Sequence, residues 1–335
     1  MALTGLGDAA RLFAGTRHAG DLKARLAQLS EELSTGRQAD PVAATGGDTR
    51  GLRDLERGLA LASDWGRAAK EAGSRLGAMQ AALGAAEDTR AGLQGALMTP
   101  DATLSASTRE GLAAAGAAAL SDIARALNTG MGGTSLFAGT ATDGPAVASG
   151  EEMLGSLRTA AAGAATAAEV EARVSAWFDD PAGGFAATAY LGTTTDASRP
   201  VGEGEAVTLA ARADAPALKA SMKAAALAAL AADPGLALPE EASKALLVRA
   251  RDQALGAADG LTALRAGIGR AEARAEEAVK RHDGRAAAWE AAIARLTAAD
   301  PYDTATRLQA VEAQVQTHYE VTARLSSLSL TSFLR

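Results

Sequence analysis

Three histidines, His18, His282 and His318, are the only imidazoles in the chain, and none has a second metal-ligating side chain at a helical or loop spacing that would close a site. His282 falls on the apolar line of a long helical stretch, where an imidazole touching a neighbouring helix is expected. No His-Glu-x-x-His motif is present, so zinc-protease chemistry is absent, and no Gly-x-Ser-x-Gly elbow presents a serine nucleophile. The run Gly130-Met131-Gly132-Gly133 has the glycines of a phosphate-cradling loop. It follows a helical pattern instead of a strand, however, and no Lys-Ser/Thr pair completes it. Two acidic pairs, Asp179-Asp180 and Glu240-Glu241, sit beside prolines, and capping with helix-end electrostatics explains them without acid–base catalysis. Nothing in the sequence supports an enzyme, and no cofactor is expected.

Composition narrows the class further. Of the 335 residues 48% are hydrophobic, but much of this is alanine and only 3% are aromatic. Bulky side chains for one thick core are scarce. Thin helix–helix seams are expected instead, with alanine permitting close approach and favouring helix. The net charge of −7, and a basic stretch from Arg270 to Arg285 interleaved with Glu272, Glu276 and Glu277, argue against nucleic acid. Cysteine is absent, which suits a cytosolic chain and equally an exported one that does not rely on oxidation. The segment from Met1 lacks a basic and then apolar leader, so export through a cleaved signal peptide is not expected. The apolar runs Leu112–Leu120 and Ala224–Ala232 are far short of the roughly 20 residues that cross a bilayer, so no membrane role is expected.

The elements read mostly as helix. Near the N-terminus Leu12, Ala19, Leu22, Leu26, Leu29 and Leu33 recur every three or four residues over a helix from about Gly5 to Ser34. It is closed by Gly36 and by Pro41, which holds Asp40 out of helical geometry. Near the C-terminus Leu308, Val311, Val315, Thr322 and Leu325 repeat the pattern after an Asp300-Pro301 start. A narrow seam of this kind needs a partner, because an isolated helix of such length is marginal in water. The two terminal helices are therefore expected to pack on each other or on neighbouring copies. Between them a long helix spans about Thr49 to Leu97 with Leu52, Leu55, Leu59, Ala62, Ala69, Leu76, Met79, Leu83, Ala86, Leu93 and Leu97 inward. Ser107 and Glu110 have capping-box spacing for a third helix. Helix resumes after Pro239. Leu261, Leu264, Ile268, Ala271, Ala275, Ala278, His282, Trp289, Ile293 and Leu296 line a stretch from Asp259 to Ala299, about 60 Å at 1.5 Å per residue.

From Asn128 to about Asp233 glycine, threonine and proline increase. Strand-like pieces appear at Ala189-Tyr190-Leu191 and Ala206–Leu209, with helices near Glu151–Ala162, Ala167–Phe178 and Ala215–Ala232. The expected fold class is mainly α: a paired N- and C-terminal long-helix coiled-coil bundle with an inserted small mixed α/β domain. The expected divisions are 1–40 with 301–335 as terminal helices, 41–134 with 239–300 as the long-helix bundle, and 135–238 as the insertion.

Several strings, in order, resemble the bacterial flagellin superfamily. They are Ser34-Thr35-Gly36-Arg37 through Asp40-Pro41-Val42-Ala43-Ala44, then Ser135-Leu136-Phe137-Ala138-Gly139-Thr140 with Thr142-Asp143-Gly144-Pro145, and Tyr319 through Leu330. Filament flagellins usually begin with an Asn-Thr-Asn-like stretch, where this chain has Thr4-Gly5-Leu6-Gly7-Asp8, and the ending Leu-Ser-Leu-Thr-Ser-Phe-Leu-Arg is closer to the junction proteins of the superfamily. The resemblance implies a structural subunit at the hook–filament junction. It further implies extracellular placement in the flagellum and type III export without a cleaved signal. It implies self-assembly into a ring or tube, with a neighbouring hook-associated protein, flagellin and a flagellar export chaperone as partners. The implied assembly seam is Leu12, Leu22, Leu26, Leu29, Leu33, Leu308, Val311, Val315, Tyr319, Leu325, Leu328, Leu330 and Phe333. The alternatives are a filament subunit of the same superfamily and a cytoplasmic coiled-coil adaptor.

Overall fold

The computed structural model describes residues 3–98 and 104–333, with side chains described over 13–98 and 104–324. The helices are α1 (Leu3–Thr35), α2 (Pro41–Ala44), α3 (Arg50–Ala96), α4 (Ala106–Leu127), α5 (Gly150–Ala161), α6 (Ala167–Asp179), α7 (Pro216–Leu230), α8 (Glu240–Leu296) and α9 (Pro301–Phe333). Two short antiparallel hairpins accompany them, β1 (Gly130–Met131) with β2 (Thr134–Ser135), and β3 (Ala197–Gly202) with β4 (Glu205–Leu209). The fold is mainly α, with paired terminal helices and a small strand-containing region. Its residue contacts divide it into two units: Met1–Ser63 with Asp283–Arg335, and Asp64–His282.

The unit Asp64–His282 holds the large core. Helix α7 is rich in alanine and leucine and buried on nearly every side, packed by α4, α5 and α6. Gly116 makes the crossing of α4 over α7 possible, since a Cβ there would lie 2.6 Å from the Ala229 amide nitrogen. A cluster of aromatic rings packs here. Trp177 meets Phe178 edge-on with centroids 4.7 Å apart, Phe178 and Phe185 are 5.5 Å apart, and Tyr190 stacks on Phe185 at 6.3 Å. The Trp177 indole donates to Ser156 Oγ at 2.9 Å, so its polar edge is satisfied. Residues Ala69, Leu76, Met79, Leu83, Ala86, Leu93 and Leu97 bury the expected seam of α3, and Leu261, Ile268, Ala275 and Ala278 that of α8.

Several local expectations are corrected. Ala189-Tyr190-Leu191 is no strand: Phe185–Ala189 form a single π-turn that buries Phe185 and Ala189, and Tyr190 makes only an isolated bridge to Val147. The Gly130-Met131-Gly132-Gly133 run is the β1–β2 turn. Gly132 at φ 60° and Gly133 at φ 77° supply the left-handed pair that such hairpins require. The cap of α4 is Ser105, whose hydroxyl accepts from the Thr108 amide at 3.2 Å, so Ser107 lies inside the first turn. Asp179 and Asp180 end α6 instead of opening a helix. Asp179 pairs with Lys223, and Asp180 accepts from the Ala182 amide at 2.8 Å. His282 is buried, as a seam residue should be, but its Nε2 meets the Val201 carbonyl of β3 at 2.8 Å and not a helix.

In the unit Met1–Ser63 with Asp283–Arg335, α1 pairs with α9. Leu52, Ala62 and Ile293 are also buried in this unit. Trp289 and Leu296 fall on the expected seam but stay partly exposed. The Trp289 ring lies against Gly58, where a Cβ would come within 2.9 Å of it.

Candidate assembly surface

Two Asp-Pro joints set the terminal helices side by side. Gly36, at φ 67°, ends α1 with its amide on the Glu32 carbonyl at 2.9 Å. Asp40 Oδ1 then accepts from the amides of Val42 at 2.9 Å and Ala43 at 3.3 Å, and starts α2 on Pro41. At the other joint Asp300 Oδ1 accepts from Tyr302 at 2.8 Å and Asp303 at 3.1 Å, and starts α9 on Pro301. The joints are stitched together. Arg37 and Ala298 form an antiparallel bridge, with Gln38 N to Thr297 O at 2.8 Å and Ala299 N to Gly36 O at 2.9 Å. Arg37 Nε adds a bond to the buried Thr297 hydroxyl at 3.2 Å. α1 therefore enters the joint where α9 leaves it, and the two run antiparallel.

Along that pair Leu22, Leu29 and Val311 form a buried cluster, 5%, 7% and 6% exposed, with Leu26, Leu308 and Val315 packed around it. Six of the expected seam residues are thus brought together within one chain. Part of the apolar stripe that a neighbouring copy was expected to cover is already covered by the chain's own other end. Leu33 and Tyr319 lie off this cluster and are exposed, with Lys23 Nζ 5.6 Å from the centre of the Tyr319 ring. The tie to Tyr319 raises the Lys23 pKa, first through a side-chain hydrogen bond. Thr322 is exposed, its hydroxyl turned back to the His318 carbonyl at 2.7 Å. Leu12, Leu325, Leu328, Leu330 and Phe333 lie outside the residues whose side chains are described. Beyond the seam this unit leaves Phe13, Val42, Tyr302 and Val321 exposed, Tyr302 at 83%.

One contact was invisible to sequence reading. His18 and His318 face each other across the α1–α9 pair, ring centroids 5.5 Å apart and inclined at 70°. Spacing within either helix could not find it, because the partners are joined only by the antiparallel register.

In the other unit several polar groups have structural partners. A groove of about 740 Å³ in the Asp64–His282 unit is lined by Asn128, Ser149, Glu152, Ser156 and Trp177 among others. There Asn128 bonds the Val147 backbone both ways at 2.9 Å, and Ser149 with Glu152 form the capping box of α5. That box holds the Glu152 carboxyl below its ordinary pKa, chiefly through the Ser149 amide. Tyr190 is pushed up to about 12, first by burial and then by the Asp214 charge. Among the described residues no three His, Cys, Asp or Glu side chains cluster as metal ligands, and no helix is long and apolar enough to cross a membrane.

Residues 251–334 match the model of the bacterial flagellin C-terminal helical region, which takes in the later part of α8 and α9. In fold the protein is similar to a protein of Vibrio parahaemolyticus named as a flagellar hook-associated protein. The TM-score is 0.51 at 13% identity, covering 77% of this chain and 98% of that one. At that identity the likeness is one of fold. No curated protein matches the sequence. The family match is confined to this C-terminal segment, and the likeness to the solved structure is one of fold.

Proposed function

We propose that this chain is a flagellar subunit of the hook–filament junction, of the hook-associated protein 3 kind, which polymerises through α1 and α9. The observation that carries the reading is the antiparallel terminal pair with its thin Leu22–Leu29–Val311 seam, in a chain whose residues 251–334 carry the flagellin C-terminal pattern. In the assembled state residues 1–40 and 301–335 form the inner layer, 41–134 and 239–300 the surrounding bundle, and 135–238 the outward insertion. Leu12, Leu22, Leu26, Leu29, Leu33, Leu308, Val311, Val315, Tyr319, Leu325, Leu328, Leu330 and Phe333 supply the assembly seam. The partners are further copies of this chain, a neighbouring hook-associated protein, flagellin, and an export chaperone that shields the apolar stripe before assembly. The chain reaches the flagellum by type III export.

Deleting the chain's coding sequence in the bacterium that carries it tests this. Intact hooks with flagellin shed unpolymerised into the medium are expected, and normal filaments would overturn the reading. The match to the flagellin C-terminal region favours a filament subunit as second reading. Copy number separates the two, since a filament subunit far outnumbers a junction protein on each flagellum.

A further inference from the structure

We propose that His18 and His318 together bind one borderline divalent transition-metal ion, zinc or its nickel and copper neighbours, and that the ion clips α1 to α9. The chain holds three histidines, and two of them meet here from opposite ends of the sequence. Two imidazoles on one tetrahedral zinc, each with a Zn–N distance of about 2.0–2.1 Å, place their ring centres roughly 5 Å apart. The observed separation is 5.5 Å. The 70° inclination is no obstacle, because the terminal torsion of histidine is broad and turns a nitrogen toward a shared point.

Room for that turn is built in. Gly15 stands three residues before His18 on α1, and even a Cβ added there would come no nearer than 4.0 Å to His318 Cε1. His18 is exposed and His318 half-buried, so an ion arrives from solvent without opening a core. No hydrogen bond from another described residue occupies a ring nitrogen of either histidine, in contrast to His282, whose Nε2 is committed to the Val201 carbonyl. Imidazole selects zinc, copper and nickel over the hard cations calcium and magnesium, which prefer oxygen. With no third protein ligand among the described residues, water or the same two histidines of a second copy complete the shell.

Such an ion stabilises the paired terminal helices by mass action. At a free concentration a hundred times its Kd it lowers the open population of the pair by about a hundredfold. The test is calorimetric titration of zinc chloride into full-length, chelator-stripped protein, with hydrogen exchange read over 13–24 and 311–324. One ion per chain, or per two chains where a second copy completes the shell, is expected, with slowed exchange in those two segments. His18→Gln, at an exposed site, and His318→Gln, at a half-buried one, should each weaken binding at least tenfold, whereas His282→Gln leaves it unchanged. Absence of saturable binding, binding that survives either of the first two substitutions, or protection that appears equally in α5 and α6 would each overturn the proposal. The readout concerns the isolated chain, so its failure leaves the flagellar reading intact.

Discussion

Replacing Leu29 with aspartate should undock α1 from α9 and leave the rest of the molecule folded. The seam is small: three residues are buried, Leu22, Leu29 and Val311, and Leu26, Leu308 and Val315 are packed around them. At about 1.5–3 kcal/mol for each fully buried aliphatic side chain and less for the others, the seam holds on the order of 10 kcal/mol before the entropy of ordering is subtracted. Leu29→Asp removes about 2 kcal/mol of that burial and adds the several kcal/mol of an unpaired carboxylate in an apolar contact. Roughly half of the gross seam energy is lost at one position. Hydrogen exchange is the assay, read over 13–35 and 301–324 and compared with the Asp64–His282 unit. Protection should fall in the order wild type, Leu29→Ala, Leu29→Asp, with the other unit unchanged. Ser30→Asp, on the exposed side of α1, should behave as wild type. In cells Leu29→Asp should still be exported but fail to assemble. The reasoning is refuted if Leu29→Asp and Ser30→Asp exchange alike, or if protection is lost evenly across the chain.

Other expectations can be checked separately. Tyr302→Ser should change stability by less than about 0.5 kcal/mol, because the ring is 83% exposed, yet it should weaken self-association measured by sedimentation. Gly116→Val should lower the melting temperature of the Asp64–His282 unit, since a Cβ would sit 2.6 Å from the Ala229 nitrogen and 2.8 Å from the Ala225 carbonyl oxygen, and overpacking costs at least about 1–3 kcal/mol. Tyr190, held neutral by burial with a pKa raised to about 12, stabilises the fold fully below the ordinary phenol range and loses that contribution as pH rises through about 12. Its upper bound is about 2–3 kcal/mol, reduced by solvent screening at a half-buried site. Tyr190→Phe should flatten the alkaline unfolding profile over that window, and an unchanged profile would contradict it.

The helices were legible because their period is strong. Most of the seam from Leu52 to Leu97 and of the line from Leu261 to Ala278 is buried as the three–four spacing requires, and the Asp300-Pro301 start of α9 is read directly from capping chemistry. Where several residues could do one job, spacing did not choose among them. Ser105, Ser107 and Thr108 all carry hydroxyls at the start of α4, and only Ser105 adopts the extended backbone of a cap, φ −64° and ψ 166°. β-Propensity misled at Tyr190, where burial of Phe185 and Ala189 on one turn prevails over the local preference. β3 escaped notice because Pro200 interrupts it, and a two-stranded hairpin tolerates proline as an interior strand does not. At the candidate surface, period placed Leu33 on the seam and the family resemblance placed Tyr319 there, but the register of the pair leaves both exposed. The meeting of His18 with His318 depends wholly on that register.

The aromatic residues explain why the two units should differ in stability. The chain has five phenylalanines, three tryptophans and three tyrosines. Phe137, Trp177, Phe178, Phe185 and Tyr190 are buried or packed in the core of the Asp64–His282 unit. The other unit has an aliphatic seam and leaves Phe13, Tyr302, Tyr319 and part of Trp289 in solvent. Large rings contribute most per residue to a core, so the first unit forms a strong cooperative block and the terminal pair opens at lower free energy. Rings left on a weakly held pair are also the residues that anchor protein–protein contacts best. A second copy of this chain therefore adds most where the single chain has least. On the proposed assembly it would cover Tyr302 and Tyr319 and leave the Leu22–Leu29–Val311 contact in place, so that joining through the termini would extend the existing pair.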